Sequence, residues 1–472
     1  MVSSRNEELM TALINGEDIK NYIPRSRNEQ FLKDCAVGSE TTTLEPRSRS
    51  EMLLSEVHNK IKSGSGFDID LKSAFDQTKS AEYFFSGEYY DDSYRKKYKT
   101  FFYYLKNLNN LIKYEDTSNV TNMNSMFYYC TNLMNAPQMD TSNVTNMRYM
   151  FGYCTSLTNV PQMNTSNVTN MVCMFYRCSS LTNVPQMDTS NVTGMDSMFS
   201  YCKNLTNVPQ MDTSNVTSMR YMFNECTKLT NVPQMNTSKV TGMESMFYGC
   251  SSLTNVPQMD TSKVTDMGNM FYRCSSLTNI PQIDTSKVTY MGYMFYNCTN
   301  LINVPQMDTS KVTYMRETFD GCSSLTNIPQ MDTSKVTDMS FMFAGCSNLI
   351  SIHQLDLISV TDTYQMFVGC SKLEYLNLLN VKDNIQIGTG TSWGHLIQKD
   401  CLIQIISELI KPESGTRTLY MGTANKSKIV DTYVKLLEDD GTGKYPFELC
   451  ESTVEGAMTI TDYCLYKNWQ LA

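Results

Sequence analysis

Apolar positions recur along residues 116–380 with a fixed step of 24. In the unit at 140–163, Met147, Met150, Phe151, Cys154 and Leu157 fall at i, i+3, i+4, i+7 and i+10, the spacing of one helical face. Val160, Pro161 and Met163 then suit a short extended segment. Its length is limited because proline has no N–H to give to a ladder. Asn164-Thr165-Ser166-Asn167-Val168 reads as a polar turn whose side chains bond local backbone. Each unit therefore predicts a short strand, a polar turn and a helical segment. Phe127 recurs through Phe367, Cys130 through Cys370 and Leu133 through Leu373, all at the same step. A period of this size is the signature of a solenoid whose stacked coils share one core. The predicted fold is an α/β repeat solenoid of about eleven coils. Strands stack more closely than helices, so the stack is expected to curve with its strands on the concave side.

The flanks follow other patterns. Ser4-Arg5-Asn6-Glu7, Ser26-Arg27-Asn28-Glu29 and Ser48-Arg49-Ser50-Glu51 are spaced by 22 residues. Ser followed by Glu three residues later is a capping box, and apolar residues follow each at helical spacing, so residues 1–63 predict three short amphipathic helices. Helices of this length need a surface to lie on, either an attachment partner or the first coil. Residues 64–115 are dense in aromatics, among them Tyr89, Tyr90, Phe101 and Tyr103, and read as an amino-terminal cap. Beyond residue 380 the period stops. Within 381–472, Leu402 to Leu409 predict a helix ended by Pro412, Thr418 to Gly422 a strand, and Trp469 to Ala472 a terminal strand, a small α/β module.

Composition narrows the chemistry. Only three His occur, His58, His353 and His395, far apart in sequence, which argues against a His-based metal or catalytic centre. The net charge of -9 argues against nucleic acid, whose phosphates call for a clustered basic face. Residues 1–10 carry no export signal, and no apolar run of membrane-spanning length occurs, so a soluble chain without a membrane span is expected. The ladder cysteines sit among Met and Phe with no C-x-x-C pair, which points to buried reduced thiols rather than zinc or disulfides; only Cys173 shares a coil with another, Cys178. Asn-Val-Thr triplets such as Asn143-Val144-Thr145 match a glycosylation acceptor but recur as turn residues. Gly388-Thr389-Gly390-Thr391 and Gly441-Thr442-Gly443-Lys444 lack the spacing of a phosphate loop. No catalytic set, cofactor site or metal site emerges, and an enzyme is not expected.

What varies between coils lies beside M-F-x-x-C. Arg148, Tyr149, Tyr153, Tyr176, Arg177, Tyr201, Arg220, Tyr221, Tyr248, Tyr272, Arg273, Tyr293 and Tyr296 are of the types enriched at recognition hot spots. They form either a binding surface or a cover for the edge of each coil. The fourth position of the polar turn changes from Asn (Asn119 to Asn215) to Lys (Lys239 to Lys335), giving either a solvated Asp/Lys ladder or an anion-binding stripe.

The unit L-T-N-V-P-Q-M-D-T-S-N-V-T-N-M-x-x-M-F-x-x-C resembles the BspA-like leucine-rich repeats of bacterial surface proteins and of many phage-encoded proteins. That resemblance implies a non-enzymatic scaffold for recognition and adhesion. The decay at Thr318, at His353 and at Asp356-Leu357-Ile358 fits a terminal cap. The tandem S-R-x-E segments look like the attachment segments of phage tail proteins, and the T-L-x-x-G-x-x-N and K-x-W-x-L-A words are similar to modules that follow such repeats. Residues 439–451 depart from that pattern. Together these resemblances imply a virion-carried protein, tail-associated or receptor-binding, attached to the virion through residues 1–63 and contacting a host surface protein or glycan. A bacterial cell-surface adhesin and an intracellular protein-binding scaffold are the alternatives. A trimer, the common state of viral fibres, would have to form without a coiled coil, since the chain has no heptads.

Overall fold

The computed structural model describes residues 117–131, 133–383, 385–386, 397–438 and 441–471. The expected helices of 1–63 and the cap of 64–115 lie outside these residues. The chain divides into two compact units, Met1–Asn215 and Val216–Ala472. The described residues of both include stacked 24-residue coils.

The described coils contain no helix, which corrects the expected helical segment. Residues 147–157 form overlapping turns: Met150 N–H bonds the carbonyl of Met147, Gly152 that of Tyr149, Cys154 that of Phe151 and Leu157 that of Cys154, at 2.9–3.1 Å. The alternate N–H groups point along the stack instead. Met147, Tyr149, Phe151 and Tyr153 donate to Asn170, Val172, Met174 and Tyr176 of the next coil at 2.6–3.0 Å. The reason is spacing. Stacked Phe rings stand 5.4–5.7 Å apart in the first unit and 5.5–6.0 Å apart in the second, with planes within 10° of parallel. A helix is about 10 Å across and spends its N–H groups on itself, so one helix per coil cannot fit that repeat. Turns give the same i, i+3, i+4 apolar spacing while leaving every second N–H for the ladder. The difference between strand and helix spacing from which curvature was expected does not arise within either unit.

The expected strand also changes form. Pro161 withholds its N–H, and the amide of Gln162 supplies a donor beside it, bonding the carbonyl of Gln186 at 2.7 Å. The same link recurs from Gln186 to Gln210 and from Gln258 to Gln282. A regular strand forms where the proline is missing. Around His353, β1 (Ser351–Asp356) pairs in parallel with β2 (Tyr375–Leu379).

The polar turn is held by its own side chains. Asp140 Oδ1 accepts from Ser142 N–H at 2.9 Å, and Thr141 Oγ1, almost fully buried, reaches the next coil at the Asn164 carbonyl, 2.8 Å away. Hydrogen bonds from the serine hydroxyl and N–H hold Asp188, Asp260 and Asp308 below the usual carboxylate range. At Lys335 the Asn-to-Lys change at the fourth position conserves one interaction. Asn143 Nδ2 donates to the Ser118 carbonyl of the preceding coil at 2.7 Å, and Lys335 Nζ donates to that of Ser310 at 2.8 Å.

Each ladder cysteine is buried and free, and from Cys154 onward the Sγ recurrently donates to the carbonyl of a phenylalanine one coil earlier, as Cys154 does to Phe127 at 3.1 Å and Cys250 to Phe223 at 3.0 Å. Thr318 does the same work where Met would stand, donating to the carbonyls of Met291 and Met315. Burial pushes the Cys202, Cys250 and Cys298 thiols well up. Since the thiolate is the nucleophile, ladder cysteines should alkylate at least about a hundredfold more slowly in the native protein than in urea, after the half-buried Cys401 and Cys450. Peptide mass spectrometry after timed iodoacetamide labelling checks this. Comparable native labelling of Cys250 and Cys450 would contradict a closed core.

The second unit ends in a small α/β module. After β3 (Ile385–Gln386) come α1 (Lys399–Ser407), β4 (Arg417–Tyr420), α2 (Gly422–Ser427), β5 (Tyr433–Leu436), β6 (Phe447–Cys450), β7 (Met458–Thr459), α3 (Ile460–Tyr466) and β8 (Trp469–Leu471). The parallel order β3-β4-β8 and the antiparallel order β6-β5-β7 make two three-stranded sheets. α1 packs on β2, joining the module to the last coil. Trp469 is buried, with its indole N–H on the Ile410 carbonyl at 2.8 Å. Thr459 caps α3 by accepting from Asp462 N–H at 3.1 Å.

Candidate binding surface

The turn geometry decides where the variable side chains go. In M-x-x-M-F-x-x-C, the residue before the second Met and the residue before Cys both lie in the left-handed region. Tyr149 has φ 52°, Tyr153 62°, Arg177 62°, Tyr201 62°, Tyr221 57°, Arg273 56° and Tyr293 61°. A side chain there costs about 1–2 kcal/mol, which glycine avoids. Four later coils do place glycine before Cys, at Gly249, Gly321, Gly345 and Gly369, with φ between 69° and 78°.

In the first unit the structure brings six of the expected residues together. Tyr153 meets Tyr176 edge to face at 5.2 Å, and Tyr176 meets Tyr201 at 6.1 Å. The Arg177 guanidinium lies 5.2 Å from the Tyr153 ring centre, 5.5 Å from Tyr176 and 4.7 Å from Tyr201, and its Nε donates to the Tyr176 hydroxyl at 3.2 Å. Arg148 covers Tyr149 at 5.1 Å, and Tyr149 meets Tyr176 at 6.4 Å. The rings are half-buried and the two arginines exposed. Two further tyrosines join them. Tyr129 stacks on Tyr153 at 4.0 Å, and Tyr128 meets Tyr149 at 5.4 Å and Tyr153 at 5.5 Å. Tyr128 has its seat at Gly152, where an added Cβ would stand 2.9 Å from the ring.

The second unit separates the remaining residues. Arg220 and the Tyr221 hydroxyl both engage Glu244, and the bond from the carboxylate, together with burial, pushes Tyr221 up to about 12. Tyr248, Tyr272 and Tyr296 form a parallel column with ring centres 4.3 and 4.5 Å apart. Arg273 lies 5.2 Å from Tyr272, and Tyr293 lies 6.4 Å from Tyr296. A second column, Tyr290 on Tyr314 at 4.8 Å, escaped the sequence reading because it follows Val-Thr and not M-F-x-x-C. Gly268 and Gly292 seat its rings, each leaving room that a Cβ would fill to within 2.6–2.8 Å of the aromatic carbons. That glycine, one coil before each tyrosine, was the available signal.

Acidic groups also gather on this second face. Glu317 pairs with Arg316 at 3.1 Å, and burial with the nearby Glu317 charge raises Asp320 to about 6. A shallow hollow of about 560 Å³ lies elsewhere, at the polar turns, bordered by Gln258, Asp260, Gln282, Asp284, Gln306 and Asp308. Among the described residues, no group of three or more His, Cys, Asp or Glu could hold a metal ion, and no helix is long and apolar enough to cross a membrane.

The chain is similar to several solved leucine-rich-repeat structures. A protein from Eubacterium ventriosum ATCC 27560 is 15% identical over 60% of this chain and 86% of its own, with a TM-score of 0.31. The T. pallidum leucine-rich-repeat protein is 19% identical over 38% and 69%, with a TM-score of 0.24. The internalin inlF of Listeria monocytogenes is 15% identical over 53% and 82%, with a TM-score of 0.20. No curated protein matches the chain. The model of a family described as Mycoplasma protein of unknown function, DUF285, matches residues 69–184, 96–208, 174–279, 228–304 and 298–386. Those stretches overlap across more than half of the chain and take in the coils described above, so the chain belongs to the DUF285 family.

Proposed function

We propose that this chain is a non-enzymatic recognition and adhesion scaffold of a bacterial cell surface, binding a host surface protein or glycan through the variable residues beside M-F-x-x-C. The observation that carries the reading is the Tyr/Arg cluster of the first unit. Eight aromatic and cationic side chains lie in contact across successive coils there, four of them at φ of 62–63° where glycine would serve the backbone better. Large, rigid amphipathic rings around an exposed guanidinium are the features of a recognition hot spot. A cover for the coil edge needs no such strain.

The family description, which names Mycoplasma, favours a cell as the carrier. A phage tail or other virion attachment protein is the second reading, favoured by the tandem Ser-Arg-x-Glu segments within residues 1–63. Antibody labelling of intact bacteria and of purified virions separates the two. For the surface itself, purified chain is expected to adhere to host cells. A variant with Tyr153, Tyr176 and Tyr201 of the first unit changed to Ser should adhere at least about tenfold less. Undiminished adhesion by a folded variant would remove the proposed face.

A further inference from the structure

We infer that Arg177 and the rings of Tyr153, Tyr176 and Tyr201 form a seat for the carboxylate of an acidic saccharide. This rests on the recognition reading above and names the chemistry of the ligand. Arg177 is exposed, is contacted by three tyrosine rings, and among the described residues has no carboxylate partner. Cation–π contact and the Tyr176 hydroxyl hold its guanidinium in place, leaving the remaining N–H groups of the planar fork for an oxyanion. Arg220 and Arg316, which repeat the position of Arg148, are already engaged, by Glu244 and by Glu317, and Arg273, which repeats the position of Arg177, lies over one described ring.

The surroundings favour a sugar over a peptide. A peptide strand needs an open row of backbone donors, and in these coils the N–H groups of Tyr149, Phe151, Tyr153 and Arg177 are already spent on the next coil. The surface is a shallow array of half-buried rings and hydroxyls, which suits the apolar face and hydroxyl edge of a pyranose. The carboxylate of a sialic acid or of a uronic acid would meet Arg177.

The backbone supplies a variant that tests binding without threatening the fold. Arg177 has φ 62°, in the position that four other coils fill with glycine, so Arg177→Gly should leave the melting temperature unchanged or higher. Ligand-observed saturation-transfer NMR on the full chain, with 3′-sialyllactose, a hyaluronan hexasaccharide and lactose as probes, reads the outcome. At least one acidic probe should bind, lactose should not, and Arg177→Gly should weaken binding about tenfold or more. Arg273→Gly, which removes an arginine over a single described ring, should change it less than about twofold. Which acidic probe binds separates a sialate from a uronate source. Binding of neither, equal binding by Arg177→Gly, or Arg177-dependent binding of an acidic peptide in place of both saccharides would overturn the seat. If cell adhesion still depends on the tyrosine face in that case, the recognition reading stands without this ligand. If saccharide binds and adhesion ignores the face, the reverse holds.

Discussion

Changing Phe247 to Ala should destabilise the second unit by about 3–5 kcal/mol. Phe247 is fully buried and its ring lies between those of Phe223 and Phe271, each 5.7 Å away and within 6° of parallel. Truncation removes both contacts and leaves a void that cannot close, because the rings on either side are held by backbone bonds. Phe223 N–H is fixed to the Met246 carbonyl at 2.9 Å and Phe247 N–H to that of Met270 at 3.0 Å. The loss is also local. Each coil touches only its neighbours, so a weakened interface breaks the cooperativity of the stack at that point. Hydrogen exchange should then show coils on either side of 247 opening separately, and urea unfolding should become broader. Phe247→Leu, which keeps most of the volume, should cost less than half as much. Tyr248→Ala, the adjacent change on the exposed face, should cost about 1 kcal/mol or less. A loss below about 1 kcal/mol for Phe247→Ala would mean that the Phe column is not what holds the coils together.

The period and its core could be read from the sequence because identical residues stack on themselves. Phe127, Cys130 and Leu133 each begin a column whose members are buried in every described coil. The local conformation could not be read the same way. Apolar residues at i, i+3 and i+4 fit a helical face and equally fit a chain of turns, and only the coil spacing excludes the helix. One signal was present at the position before Cys. Gly249, Gly321, Gly345 and Gly369 alternate there with Asn297 and with tyrosine and arginine, which is the mark of a left-handed site. Noticing it would have exposed both the turns and the strained residues of the candidate surface.

Side-chain roles within the ladders were less accessible. Cys154 looked like a small apolar residue, and nothing in the sequence tells that its thiol bonds the Phe127 carbonyl. The change from Asn143 to Lys335 looked like a charge gradient, whereas both side chains reach a serine carbonyl one coil back. Nothing in the sequence gives Gln162 a role of its own, yet its amide carries a contact between coils beside the proline that cannot. In each case the partner lies about 25 residues away, at a register that only the stacked coils fix.

Lys467 sets a pH dependence for the carboxy-terminal module. It belongs to the K-x-W-x-L word beside Trp469 and is fully buried. Its Nζ donates to the Lys444 carbonyl and to the Tyr463 hydroxyl, the latter at 2.9 Å, and lies 5.0 Å from the Tyr463 ring centre. Burial lowers its pKa from 10.5 to about 7, while the charges of Cys464 and Glu408 oppose that shift and Lys444, itself paired with Glu408, adds to it. The folded module therefore sheds a proton that the unfolded chain keeps between about pH 7 and 10.5. Stability rises with pH wherever the unfolded state binds more protons, so it should climb through this window and lie flat at its lowest level below it. At about 1.4 kcal/mol per pH unit as an upper slope, the gain from pH 7 to 9 should amount to about 1–3 kcal/mol. Above pH 10 the raised pKa of buried Tyr463 acts in the opposite direction, because ionising that phenol favours unfolding. Urea unfolding followed by Trp fluorescence between pH 6.5 and 9.5 measures the slope. Lys467→Met, which fills the same space without a titrating group, should flatten it and raise stability at pH 6.5. A wild-type slope equal to that of Lys467→Met would show that this amine does not titrate on folding.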